Sequence, residues 1–286
     1  MAYALTWLDV FTSRPLTGNG LAVVHDADPL DDAAMLAFAR ETRLSETTFV
    51  QTATHEGADY RNRIWTMLGE IPLGGHPSLG TAVAVARARG EDRATYVQQT
   101  PAGLQPIEVR LHGDAAHASM LQEPPEFGPE LDPDEILGMV GLDGSEADPA
   151  LPCQVVSTGV PQVLACVRDA AALRRVLPAY DRIGRLLAEH DAIVLYLAAV
   201  DPEAGTARAR SFMRSAEMGE DPATGSAVGP LCAHVAARTG AQRIEIDQGV
   251  EMGRPSRLVA EVEGDRVRGG GETVVVAEGT VHLLDT

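Results

Sequence analysis

The stretch GEDPATGSAVGPLCAHVAARTG, residues 219–240, puts an acid, a proline, small hydroxyl residues and glycines directly before an apolar run of helical character. Pro230 comes early in that run, and proline is best accommodated in a first helical turn, where its missing N–H has no intrahelical partner anyway. A helix is therefore expected to start near Ser226 or Ala227. Its free backbone N–H groups would point back over Thr224, Gly225 and Ser226. Glycine there lets a ligand approach closely, so the place suits an anion such as a carboxylate. The plainer alternative is that Asp221 or Ser226 serves only as an N-cap.

A second stretch has the same composition. HPSLGTAV, residues 76–83, aligns without a gap with DPATGSAV, residues 221–228, so that Pro77 meets Pro222, Gly80 meets Gly225 and Thr81 meets Ser226. The two copies lie about half a chain apart, as a duplicated half-molecule requires. In this alignment His76 stands opposite Asp221, and two matched helix starts would face one cleft if the halves pack about a pseudo-twofold.

With 286 residues the chain suits two domains of about 140 residues each. The expected halves are 1–124, completed by a C-terminal strand at 273–286, and 125–272, with the proline- and acid-rich EPPEFGPELDPDE (123–135) as a linker. A formal charge of −18 argues against nucleic acid or an anionic membrane as partner, since both call for a basic face. A small anionic substrate stays open, because a helix start binds an anion locally. No apolar run approaches the ~20 residues of a membrane span, and the N-terminus carries no basic segment before an apolar core, so a cytoplasmic protein is expected. Cys153, Cys166 and Cys232 form no C-x-x-C pair and read as small buried residues.

Along the chain, YALTWLDVF (3–11), LSETTFVQT (44–52) and AIVLYLAA (192–199) read as strands. PLDDAAMLAFARET (29–42), SLGTAVAVARARG (78–90) and AALRRVLPAYDRIGRLLAEH (171–190) read as helices. Gly90 is a plausible C-cap. Strands outnumber helices, and each half holds one long apolar helix after the repeated stretch. That pattern suits an α+β fold, two α/β halves that each wrap a curved mixed sheet around a central helix.

Three side chains have chemical interest. Glu46 sits in a strand, where glutamate is depleted. Period-two alternation puts it on the face of Leu44 and Thr48, with Ser45 and Phe49 on the other. Partial desolvation there would favour its protonated form and suit a general acid/base; a solvent-facing residue is the alternative. His76 reads as a loop histidine beside Pro77 and two glycines, and Asp221 as its counterpart. The remaining histidines show no metal-ligand spacing, and no G-x-G-x-x-G or P-loop supports a nucleotide, nicotinamide or flavin cofactor. Arg254 in GRPS (253–256) reads either as functional or as a locally paired turn residue.

Taken in series, DVFTSRPLTGNGLAVV (9–24), LSETTFV (44–50), GEIPLGGHPSLGTA (69–82), GEDPATGSAVGPLCAHV (219–235) and QGVEMGRPS (248–256) resemble the PhzF family of phenazine biosynthesis over nearly the whole chain. The resemblance implies the diaminopimelate-epimerase-like fold, a homodimer, and cofactor-free isomerisation of trans-2,3-dihydro-3-hydroxyanthranilate, a proton leaving C3 and returning at C1. By motif, Glu46 looks like the residue that moves the proton. His76, Asp221 and Ser226 resemble the groups that hold the substrate and assist, with Ser45, Gly75, Gly225 and Ser226 as substrate-binding positions. Gly18-Asn19-Gly20 departs from the family's more usual Gly-Asn-Pro, and STGVPQ (157–162) is a form carried by members of unknown activity. An isomerase or epimerase of another small carboxylate and a non-catalytic small-acid binder are the competing readings. A two-thiol epimerase is disfavoured because no cysteine falls at either helix start.

Overall fold

Residues 76–86 are buried without a break and are mainly Ala, Val, Leu and Gly. A helix that is apolar all round has no face to offer water and must be enclosed. A computed structural model describes residues 1–283. The chain divides into two units, Met1–Met120 with Gly270–Thr286, and Leu121–Gly269. The expected strand at 273–286 is described as far as His282, and 284–286 lie outside the described residues.

The first unit contains β1 (Ala2–Val10), β2 (Asn19–Val24), α1 (Asp32–Thr42), β3 (Glu46–Gln51), β4 (Tyr60–Trp65), the two-residue β5 (Glu70–Ile71), α2 (Gly75–Arg89), β6 (Arg93–Thr100), β7 (Gly103–His112) and β8 (Ala115–Leu121). The last strand of the chain, β17 (Arg266–His282), joins it. β1–β2, β3–β4, β6–β7 and β7–β8 pair antiparallel, while β2–β3 and β4–β6 pair parallel. β17 pairs with both β1 and β8, which closes the sheet into a ring and removes its edges. α2 runs inside, against β1, β2, β3, β4, β6 and β7. α1 covers the outside, with Met35 and Ala39 packed on Tyr3, Val24, Phe49 and Trp65. Its ends follow local rules: the Asp31 carboxylate accepts from the Ala34 N–H at 2.8 Å.

The second unit contains β9 (Glu126–Glu130), α3 (Pro133–Gly138), β10 (Gln154–Ser157), β11 (Pro161–Val167), α4 (Ala170–Leu173), α5 (Tyr180–Glu189), β12 (Leu195–Asp201), β13 (Thr206–Phe212), the two-residue β14 (Glu220–Asp221), α6 (Gly225–Thr239), β15 (Arg243–Gln248) and β16 (Ser256–Glu263). β11–β12 and β13–β15 are parallel, and β10–β11, β12–β13 and β15–β16 antiparallel, the alternation seen in the first unit. α6 is buried from Ala227 to Val235 and packs on β10, β11, β15 and β16. Ile183, Leu186 and Leu187 form the apolar stripe of α5, spaced to bury one side against Leu195, Leu197 and Phe212. Each unit is thus a mixed sheet around a central helix, with further helices outside, and the fold is α+β.

Several expectations need correction. The 123–135 stretch is not a linker: it contains β9, a fully exposed edge strand paired to β10, where acids and proline blunt further pairing. Residues 171–190 form two helices, α4 and α5, separated by the stretch 174–179, where Pro178 keeps Leu177 out of the α region and the chain from rejoining one helix. α6 starts at Gly225, which leaves Pro230 inside the helix and the Ser226 carbonyl without its α-helical donor.

The register of the repeat also changes. β4 meets β5 through Trp65 and Glu70, β13 meets β14 through Phe212 and Glu220, and each central helix begins five residues after that glutamate. The equivalent segments are therefore GEIPLGGH (69–76) and GEDPATGS (219–226), a shift of five residues from the sequence alignment. Runs of Gly, Ala, Val, Ser and Thr match one another at more than one offset, whereas the Glu that anchors each hairpin has a unique partner. His76 consequently corresponds to Ser226, and Asp221 to Ile71.

Candidate active site

The two helix starts are held by the same device. Arg63 of β4 forks onto Glu70, Nε to Oε1 at 2.6 Å and Nη2 to Oε2 at 2.7 Å, and also reaches Asp32 at 2.9 Å. Arg210 of β13 forks onto Glu220 at 2.8 and 2.7 Å and donates to the Leu173 carbonyl at 2.7 Å. Each guanidinium also lies over the aromatic ring two residues on, Trp65 or Phe212. Such bidentate, largely buried pairs fix geometry as well as charge. What they fix is the short strand that leads into α2 or α6.

In the first unit, Glu46 opens β3 on the side that faces α2, since Thr48, two residues on, bonds Thr81 of α2 at 2.8 Å. Leu44 and Ser45 lie in a bend before the strand, so the expected alternation begins only at Glu46, and Ser45 is exposed. His76 is the second residue of α2 and is buried, not a loop residue as expected. Proline is compatible with a first helical turn, so Pro77 does not delay the helix. The Nε2 of His76 stands 3.4 Å from the Glu46 Oε2, and the Glu46 side chain is only 16% exposed. On the other side of the ring, the Asn19 Nδ2 lies 3.3 Å from Nδ1.

Burial pushes the imidazole pKa down to about 3, with the Gly20 backbone opposing that shift only in part. His76 is thus neutral at physiological pH. Nδ1 lies beside the Asn19 amide, and Nε2, which makes no hydrogen bond among the described residues, is the ring nitrogen beside the Glu46 carboxyl. The first-turn N–H groups of Gly75 and His76 have no partner within the helix. A carboxyl group, a neutral imidazole and helix-start donors in one corner can exchange a proton with a substrate and stabilise the charge that develops.

In the second unit, Asp221 lies on β14, half-buried, and its Oδ2 accepts from the Thr224 Oγ1 at 2.6 Å. Gln248, fully buried, braces the same turn: Nε2 donates to the Asp221 carbonyl at 2.8 Å and to the Thr224 hydroxyl at 3.0 Å. Its Oε1 accepts from the Thr224 N–H and from the Tyr196 hydroxyl. Ser256 donates to the Pro222 carbonyl at 3.0 Å, and Gly249, at φ +71°, leaves only 2.6 Å between an added Cβ and that oxygen. The QGVEMGRPS segment is thus the support for the Asp221–Ser226 turn. Gly225 and Ser226 are the first two residues of α6. Gln162 of β11 donates to the Ser226 hydroxyl at 3.4 Å.

Glu46 and His76 therefore meet in the first unit, with Gly75 beside them and Ser45 at the margin, while Asp221, Gly225 and Ser226 share one turn in the second. Asn19, Gln162 and Gln248 were not singled out from the sequence, because an amide's role depends on partners far along the chain. A cavity of about 590 Å³ in the first unit, lined by His25, Arg87, Arg89 and Glu278 among others, contains none of these residues. Among the described residues no helix is long and apolar enough to cross a membrane.

Comparison with known proteins agrees with this architecture. Residues 8–279 match the PhzC-PhzF family of phenazine biosynthesis-like proteins. A trans-2,3-dihydro-3-hydroxyanthranilate isomerase from Pseudomonas aeruginosa is 37% identical, over 96% of this chain and 98% of that protein. An uncharacterized isomerase from Mesorhizobium japonicum is 34% identical, over 96% of this chain and 97% of that protein. The solved structure of a predicted epimerase from Pseudomonas aeruginosa superposes with a TM-score of 0.86 at 34% identity, covering 98% of this chain and 99% of that one. The chain belongs to the PhzF family, and it is an isomerase.

Proposed function

We propose that this isomerase moves one proton between two carbons of a small cyclic carboxylate, with Glu46 taking and returning it, and that the substrate is trans-2,3-dihydro-3-hydroxyanthranilate. The observation that carries this reading is an asymmetry between the two units. Thr47 pairs with Trp65 in the first and Leu195 with Phe212 in the second, so the residue at the position of Glu46 is Val194, fully buried. Only one half has a carboxylate there, which suits a single group that removes a proton and delivers it again on the same face.

In this reading His76, neutral and beside Glu46, assists the proton's movement and steadies the charge passing through the carboxyl and the substrate. Asp221 and Ser226 hold the substrate's polar groups, and the Gly75, Gly225 and Ser226 N–H groups receive its carboxylate. Ser45, next to Glu46 and open to solvent, is the most peripheral of the assigned positions. The identity to the Pseudomonas aeruginosa isomerase supports the choice of substrate. A second reading, isomerisation or epimerisation of a different small carboxylate, is favoured by the Mesorhizobium japonicum relative, whose substrate its name leaves open. The test is turnover of trans-2,3-dihydro-3-hydroxyanthranilate in deuterated water by the wild type and by Glu46→Gln, with other small carboxylates as competing substrates.

A further inference from the structure

Gln162 has a feature that the proposed chemistry does not use. It is fully buried, at the second position of β11. Its Nε2 contacts the Val160 carbonyl at 3.3 Å and the Ser226 hydroxyl at 3.4 Å. The carbonyl contact fixes which end of the amide is which, because an amide turned by half a revolution would set oxygen against oxygen. The free end is then Oε1, a buried acceptor with no hydrogen-bond partner among the described residues. A buried polar atom left unpaired is costly, so such an atom asks for a donor from outside the fold.

The position of that acceptor defines what would bring the donor. Gln162 touches Ser226, the second residue of a fifteen-residue helix whose first N–H groups lack intrahelical partners. An anion at this helix start would lie beside the Gln162 amide, whose Nε2 reaches Ser226.

We propose that Gln162 is a specificity-determining residue: a carboxylate binds at the start of α6, and the Oε1 of Gln162 accepts a hydrogen bond from an amine or hydroxyl on the carbon next to the one that bears the carboxylate. The ligand class is a small ring carboxylate with an adjacent donor. The assignment deepens the proposed function, since it rests on that reading for the carboxylate at Ser226, but it concerns recognition and not proton transfer. A site built around a donor rejects the analogue that lacks it, because the buried acceptor is then left unpaired in the complex.

The experiment is a calorimetric titration of the whole protein with 2-aminobenzoate and with benzoate, repeated on Gln162→Met, which keeps the side-chain volume, and on Gln162→Leu should the first variant not fold. The wild type is expected to bind 2-aminobenzoate about tenfold tighter, as one hydrogen bond to a neutral acceptor allows. In the apolar variant the two affinities should come within about twofold, chiefly through weaker binding of 2-aminobenzoate. Equal affinities in the wild type, no binding of either probe at millimolar concentration, or a preference that survives the substitution would each overturn the assignment. Preference for 2-aminobenzoate without turnover of trans-2,3-dihydro-3-hydroxyanthranilate would remove the proposed reaction and leave Gln162 in its role. Turnover without preference would do the reverse.

Discussion

His234 offers a test of how tightly the second unit encloses its central helix. It lies in the middle of α6, fully buried, and its pKa is pushed down to about 4 by burial first and by Arg238 second, the Pro152 backbone opposing. In the unfolded chain the same group titrates near 6.5. A folded pKa below the unfolded one means that the unfolded state binds the proton more readily, so stability is complete above 6.5 and is lost as pH falls from there toward 4. Between pH 6.5 and 5 the loss is one and a half units at about 1.4 kcal/mol each, or about 2 kcal/mol from this residue alone. His234→Leu removes that contribution whatever it does to packing. Urea unfolding at pH 7.5 and at pH 5.0 should therefore show a fall in unfolding free energy about 2 kcal/mol smaller in the variant than in the wild type. His76, also held neutral, contributes equally to both proteins and cancels. The same fall in both would refute the reasoning, since it would mean that His234 is hydrated or paired in the folded protein.

Two further substitutions test the packing and the anchors. In Gly80→Ala the new Cβ would meet the Leu21 Cδ2 at 2.5 Å and the Val10 Cγ2 at 2.8 Å. Overpacking of about 1–3 kcal/mol should outweigh the gain of up to about 1 kcal/mol from helix propensity, whereas Gly138→Ala, with open space around it, should lose nothing. Denaturant midpoints decide, and a stabilised Gly80→Ala would show that α2 is not enclosed. Glu220→Gln, which strips the charge from a pair whose side chains are 10% and 13% exposed, should cost about 3 kcal/mol. Arg210→Met combined with Glu220→Met should recover most of it, and a double variant as unstable as the single one would contradict the clamp.

Much of this fold is legible in the sequence where local chemistry dominates. SLGTAVAVARARG offers no polar face and ends on Gly90, which caps α2 at φ +70°. YALTWLDVF and AIVLYLAA become β1 and β12 because β-branched and aromatic residues suit a pleated surface. Glu46 stands out as a carboxylate in a strand, and the structure sets it against His76. Legibility fails where an offset or a partner decides. The five-residue error in the repeat arises because small residues resemble one another, while the anchoring pairs Arg63–Glu70 and Arg210–Glu220 bridge segments of unequal length. The roles of Gln162 and Gln248 depend on contacts 64 and 27 residues away in the chain, which no local pattern encodes.

Proton transfer by Glu46 is most directly measured by incubating the purified protein with trans-2,3-dihydro-3-hydroxyanthranilate in deuterated water, with Glu46→Gln alongside. Ultraviolet absorbance and NMR would follow consumption and the position of any deuterium. The wild type is expected to consume the substrate, and the folded variant to bind it without turnover. Full activity in Glu46→Gln would contradict the assignment of Glu46, and no consumption by the folded wild type would contradict the choice of substrate.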